Sequence, residues 1–206
     1  MIQKIDTILP KIGRGSLYPN PKVQEILKTI GKNGYLSMII DPVYGGKKLP
    51  ISAQSTILSK ISSYNPGLGV VVMVPNSLGP GELLQHYGTK EQKEKFLPRL
   101  ATGEMIPCFG LTGPHNGSDA TGQIDSGVVV KDSETNELFV NVTINKRYIT
   151  LAPIANLIGI AIDVQDPNNH LSCIEHAKPG VSVFLLEKKF DGLEQKTHRK
   201  GHPRDV

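Results

Sequence analysis

The chain has 206 residues, 38% hydrophobic and 5% aromatic, with 21 Gly, 15 Pro and no Trp. That composition allows one large or two small domains with many turns, and argues against long uninterrupted helices. The net charge of +4, from 23 basic and 19 acidic residues, is too mild for a nucleic-acid surface, and the two cysteines make neither a disulfide framework nor a metal site.

Residues 1–19 show no periodic pattern and are broken by Gly13, Gly15 and Pro19, so an irregular N-terminal segment is expected. Residues 20–105 carry helical spacing. Val23, Ile26, Leu27 and Ile30 recur on one face, and Gly31 is placed to stop that helix. Asp41-Pro42 and Gly45-Gly46 break the chain. Ala53, Ile57, Leu58 and Ile61 then predict a second helix, ended by Asn65-Pro66-Gly67. Leu68 to Val74 is a continuous apolar run, followed by a segment punctuated by Pro75 and Pro80. Thr89 and Gln92 have capping-box spacing at the start of another helix. Phe96, Leu97 and Leu100 form its apolar face, and Gly103 suits its C-terminal cap.

From 106 to 206 the period changes to two. Leu138, Val140, Val142 and Ile144 alternate with Phe139, Asn141, Thr143 and Asn145, which predicts a strand. Gly127 to Lys131 precedes it across D-S-E-T-N-E, a hairpin turn. Leu157 to Val164 and Val181 to Leu186 predict further strands. Helices followed by strands make the expected class α+β, with a boundary near residue 105.

The N-terminus breaks its apolar positions with Lys4 and Asp6, unlike a secretory signal. The stretch from Leu151 to Ile162 contains Pro153 and Asn156, and is shorter than the ~20 residues of a spanning helix. The expectation is a cytoplasmic protein, with a peripheral place at the inner membrane left open.

The chemistry concentrates in Cys108 to Asp119, C-F-G-L-T-G-P-H-N-G-S-D. Glycines let a backbone approach a ligand, and a turn after a strand can aim N–H groups at an anion. Lys146-Arg147-Tyr148-Ile149-Thr150 adds an aromatic and a hydroxyl on an expected strand. Together they suggest one wall of a large-cofactor pocket. His115, Ser118 and Asp119 do not make a hydrolase triad, because triad members come from separate parts of a fold. Gly13-Arg14-Gly15 lacks the third glycine of a dinucleotide fingerprint. His198 and His202 lack a third metal ligand. The basic C-terminal run, from Lys188 to Arg204, is diluted by Asp191 and Glu194 and is expected to be a solvated surface.

The segments Tyr44-Gly45-Gly46, Pro75 to Glu104, Pro107 to Ala120 and Asn145 to Ala155 together resemble the acyl-CoA dehydrogenases, most closely the large bacterial long-chain type. The resemblance covers residues 22–187. It implies an N-terminal helical domain at 20–105 and a mainly antiparallel middle β-domain at 106–206. It also implies that the C-terminal four-helix domain, and with it the catalytic base, is missing, so that no residue here is catalytic. By the same resemblance the cofactor is FAD, the substrate a long-chain acyl-CoA, and the reaction α,β-desaturation with transfer of electrons to an acceptor. A homo-oligomer, or a separate chain carrying the missing helices, would be the protein partner.

Carried over by position, Phe109, Leu111, Thr112, Gly117 and Ser118 would line the flavin and its pyrophosphate. Leu111 and Thr112 would bond the flavin ring, and Ser118 the pyrophosphate or the CoA of the substrate. Tyr148, Ile149 and Thr150 would sit against the isoalloxazine. The family type carries an acidic residue and Ala where this chain has His115 and Asn116, which alters charge and local geometry beside the phosphates. A non-catalytic relic or one half of a split enzyme is the alternative implied. These residues do not separate a dehydrogenase from an acyl-CoA oxidase.

Overall fold

A computed structural model describes residues 21–187 except Gln123 and His176. The expected irregular segment 1–19, the basic run from Lys188 and the pair His198 and His202 lie outside the described residues. Of those described, 21–108, 150–158 and 187 form one compact unit, and 109–149 and 159–186 a second.

In the first unit, helix α1 spans Pro21–Lys32 and buries Val23, Ile26, Leu27 and Ile30. Gly31 does not stop it. It lies inside the helix, and a Cβ there would overlap the Thr102 carbonyl. The glycine serves close helix packing rather than termination. After α1 the chain buries Leu36, Met38 and Ile40. It then turns through a short 3₁₀ segment, Pro42–Tyr44, where Asp41 Oδ1 accepts from Val43 N and Gly45 takes a left-handed φ of 85°.

Helix α2 is Ile51–Tyr64. Asn65-Pro66-Gly67 ends it but immediately starts helix α3, Pro66–Met73: Asn65 Oδ1 accepts from Leu68 N at 2.9 Å and Pro66 occupies the first turn. The apolar run is therefore helical despite its three consecutive valines, whose β-branched side chains favour strand in isolation. Leu68 and Val72 are buried, while Val70 and Met73 are exposed. Pro80, read as punctuation, is the first residue of helix α4, Pro80–Tyr87.

Helix α5, Lys90–Thr102, has the expected capping box. Gln92 N donates to Thr89 Oγ1 at 3.2 Å, and Thr89 N to Gln92 Oε1 at 2.9 Å. Gly103 closes it in the left-handed region at φ 76°. Ile106 and Ile154 join residues of α1, α2 and α3 in one buried apolar cluster.

Two side-chain amides organise this unit. Asn76 Nδ2 donates to the Tyr35 and Val72 carbonyls at 2.7 and 2.8 Å, and its Oδ1 accepts from Ile39 N at 3.2 Å. Asn156 Oδ1 accepts from Ile106 N at 2.7 Å, and its Nδ2 donates to the Glu104 carbonyl at 3.0 Å.

The strands are β1 (Pro107–Gly110), β2 (Ser126–Lys131), β3 (Leu138–Val142), β4 (Leu157–Gln165) and β5 (Gly180–Glu187). Their order is β1-β4-β2-β3, with β5 also paired to β4. β4 is buried over almost its whole length, as a strand covered on both faces must be. β2 and β3 form the expected antiparallel hairpin, with Val129 opposite Val140. β2 and β4 run parallel, with Gly127 opposite Val164, so the sheet is mixed. The hairpin turn is held by Asp132, whose Oδ1 accepts from Thr135 N at 2.7 Å and Glu134 N at 2.9 Å. Those N–H groups, Thr135 before Glu134, and then the Thr135 hydroxyl, hold the Asp132 carboxyl below its ordinary value of 3.8.

The expected strand through Ile144 stops at Val142. Residues 143–147 have no strand conformation, and Tyr148 takes a left-handed φ of 58°. Tyr148 is therefore not on a strand. Beyond Val142 the backbone leaves the β2 ladder and bonds to a loop instead.

No helix among the described residues is long and apolar enough to cross a membrane.

Candidate functional site

That loop is residues 111–120, directly after β1. Its shape comes from within. Asn116 is 6% exposed, and its Nδ2 donates to the Leu111 carbonyl at 3.0 Å and the Ala120 carbonyl at 3.1 Å. One amide thus closes both ends of the loop. His115, beside it, is exposed. The two departures from the family pattern have different outcomes: Asn116 is part of the scaffold and His115 faces solvent.

Segment 145–148 lies against the same loop. Arg147 N donates to the Thr112 carbonyl at 3.1 Å, and Arg147 Nη2 to the Pro114 carbonyl at 3.1 Å. The guanidinium carbon lies 5.1 Å from the centre of the Tyr148 ring, within cation–π range. Lys146 Nζ donates to the Leu111 carbonyl at 3.2 Å and lies 2.7 Å from Asp125 Oδ2. The structure thus brings the two stretches singled out from the sequence together, through main chain and cations.

Gly110, at the end of β1, and the loop glycines Gly113 and Gly117 have different surroundings. A Cβ on Gly113 would press on Asn116 Oδ1 at 2.8 Å and on the Asn145 carbonyl at 3.0 Å. A Cβ on Gly110 would touch the Gly159 carbonyl at 3.4 Å and Lys146 Cγ at 3.6 Å. Around Gly117 there is nothing within 4 Å. Gly110 and Gly113 face protein, and Gly117 faces open space.

Of the expected site residues, Phe109, Leu111, Thr112 and Ile149 are half-buried, while Gly117, Ser118, Tyr148 and Thr150 are exposed. Tyr148 is 65% exposed, a large area for an aromatic ring. Sequence reasoning missed Lys146, Arg147 and Asp125 as partners of the loop. Lys146 and Arg147 stood in the quoted N-K-R-Y run, so a signal was present; Asp125, in an ordinary I-D-S stretch, had none. No group of His, Cys, Asp and Glu able to hold a metal exists among the described residues.

Residues 8–104 match the acyl-CoA dehydrogenase N-terminal domain. A Bacillus subtilis protein named acyl-CoA dehydrogenase is 29% identical over 170 residues, which are 82% of this chain and 41% of that protein. A second protein of that organism, named probable acyl-CoA dehydrogenase, is 33% identical over 168 residues, 80% of this chain and 27% of the relative. The chain thus carries a match to the acyl-CoA dehydrogenase N-terminal domain, and over 80% or more of its length it is similar to proteins named acyl-CoA dehydrogenase. Among solved acyl-CoA dehydrogenases, a glutaryl-CoA dehydrogenase from Mycobacterium smegmatis in complex with FADH2 aligns with a TM-score of 0.67 and 26% identity, over 85% of this chain and 40% of that one. The chain spans less than half the length of these relatives. The helices and mixed sheet fit the acyl-CoA dehydrogenase fold, and the α+β expectation stands.

Proposed function

We propose that this chain provides the flavin-facing part of an FAD-dependent acyl-CoA dehydrogenase acting on long-chain acyl-CoA. The observation that carries this reading is the joining of loop 111–120 to segment 145–148 by three hydrogen bonds. The residues fit the cofactor chemically. A glycine facing open space and an exposed hydroxyl at Gly117 and Ser118 suit a pyrophosphate, and an exposed aromatic at Tyr148 suits a flat ring. Bound FAD would accept the β-hydride of the acyl chain.

The chain's own part is to bind and orient. Leu111 and Thr112 would offer backbone and hydroxyl hydrogen bonds to the flavin ring, with Phe109 beside them. Ser118 would meet the pyrophosphate or the CoA portion of the substrate. Tyr148, Ile149 and Thr150 would hold the isoalloxazine. Arg147, held by Pro114 and Tyr148, adds positive charge near an anionic ligand. We assign no catalytic base to this chain. On this reading 20–105 is the helical domain and 106–206 the middle β-domain, the electrons pass to a separate acceptor, and nucleic acid is no partner.

A second reading is a half-enzyme that works only with further helices, or a relic that does not work at all. Val43, Ile51, Leu78 and Tyr87 of the helical unit are exposed apolar side chains that further helices would cover.

Titration of the purified chain with FAD, followed by flavin fluorescence and visible absorbance, tests the first reading. Saturable binding is the expected result. No binding, either alone or mixed with the C-terminal helical portion of a relative, would overturn it. Turnover of a long-chain acyl-CoA only in the mixture would favour the half-enzyme.

A further inference from the structure

We propose that Lys146 and Asp125 form a positioning pair that sets the shape of loop 111–120. The inference rests on the flavin-binding reading for its function, but not for its structural content. The Lys146 side chain is 8% exposed and that of Asp125 is 20% exposed. Both are charged groups taken largely out of water, an expense that a Met or Leu at either position would avoid. A pair kept at that expense needs a geometric purpose, and one is visible.

Lys146 Nζ bridges two things that belong to different segments. It lies 2.7 Å from Asp125 Oδ2, just before β2, and donates to the Leu111 carbonyl at 3.2 Å, at the start of the loop. Asp125 in turn is tied to its surroundings by main chain. Its carbonyl accepts from Asp163 N at 2.9 Å, on β4, and its Oδ1 accepts weakly from Asn145 N at 3.5 Å. At 2.7 Å the Lys146 ammonium is the charge partner of Asp125 Oδ2, an oxygen otherwise buried without a partner. The lysine is therefore held by attraction on one side and aimed at Leu111 on the other.

The glycines fit this arrangement. The aliphatic stem of Lys146 passes Gly110, where a Cβ would stand 3.6 Å from Cγ, and Asp125 Oδ2 lies 3.9 Å from a Cβ position on Gly113. Two of the three glycines of the loop region thus flank the ion pair. The Leu111 carbonyl accepts from both Lys146 and Asn116, so the residue expected to offer backbone hydrogen bonds to the flavin is the one fixed twice over. Lys146 acts through Leu111 and has no proposed contact with substrate or cofactor.

Amide hydrogen exchange over residues 111–120, with β4 amides as the reference for global unfolding, tests the pair in Lys146→Met, Lys146→Arg and Asp125→Asn. Lys146→Met is expected to speed loop exchange by roughly tenfold or more while β4 amides stay within about twofold, because the opening is local. Lys146→Arg, which keeps charge and donors, is expected to restore most of the protection. Affinity for FAD should fall in step with loop protection, by roughly tenfold in Lys146→Met. Unchanged loop exchange in Lys146→Met, or loop and β4 amides losing protection equally, would overturn the proposal. If Lys146→Met does not fold, Asp125→Asn, which leaves the lysine in place without its counter-charge, gives the same decision. A wild-type chain that binds no FAD, either by itself or mixed with the C-terminal helical portion of a relative, would refute the proposed function only, since the exchange comparison still decides the pair.

Discussion

Gly31 in α1 packs directly on the carbonyl oxygen of Thr102 at the end of α5, so closely that no side chain fits between them. Gly31→Ala therefore inserts a methyl group into backbone. Helix propensity alone would make this change stabilising by about 1 kcal/mol. Overpacking, at about 1–3 kcal/mol, opposes it and is the larger effect, so we expect a net loss of up to about 2 kcal/mol, read as a lower urea midpoint with an unchanged slope. A midpoint that rises would show that the two helix ends can separate without penalty.

Asn76 is the hub of the segment from Tyr35 to Ile39. Asn76→Ala removes one acceptor and two donors from groups at or near burial. Stranding such groups costs about 1–3 kcal/mol each before relaxation. We expect equilibrium unfolding to show at least the lower figure, and more than an exposed Asn→Ala change elsewhere in the chain.

The capping box of α5 is exposed, so its effect is purely local. Thr89→Ala should cost about 0.5–2 kcal/mol, and Thr89→Gly noticeably less. In a double-mutant cycle Thr89 and Gln92 should couple, because each side chain satisfies the other's backbone N–H. Strict additivity in urea unfolding would show that the box does not form in solution.

Asp132 sets a pH dependence for the hairpin. Its carboxyl is held below 3.8 by the N–H groups of Thr135 and Glu134 and then by the Thr135 hydroxyl. A carboxyl with a lowered folded value stabilises the fold above its unfolded value. That contribution is lost as pH falls through the folded one. Carbon-detected NMR titration should therefore place the Asp132 midpoint under 3.8. Loosening of the 132–137 turn should follow at still lower pH. A midpoint at or above that value would remove the turn from the acid-sensitive elements.

What was legible in the sequence was whatever depends on neighbours a few residues apart. The capping box at Thr89, the C-cap at Gly103 and the hairpin across residues 132–137 are local chemistry, and all three are present. Helix α3 was hidden because three consecutive valines give no amphipathic period, and its start depends on Asn65 and Pro66 acting as a cap rather than a break. Alternation that runs through Asn145 predicts a strand reaching Tyr148. The ladder ends earlier, since the backbone there bonds the loop. In the candidate site the stretches were found, but not what joins them. Asn116 looked like a disturbance of the family pattern and is the residue that closes the loop. The partnership of Lys146 with Asp125 links positions 21 residues apart, and no spacing rule reports it.

The helical core is finished late in the chain. Ile154 belongs to the buried cluster of α1, α2 and α3, and Ile106 takes its partner from Asn156, 50 residues downstream. At ordinary translation speed that separation corresponds to on the order of 3–10 s between the emergence of the two. During that interval the residues of α1, α2 and α3 are made but their apolar cluster lacks Ile154. The ribosome-bound stage of this protein is thus a window in which holding chaperones have a binding surface that the finished fold no longer presents.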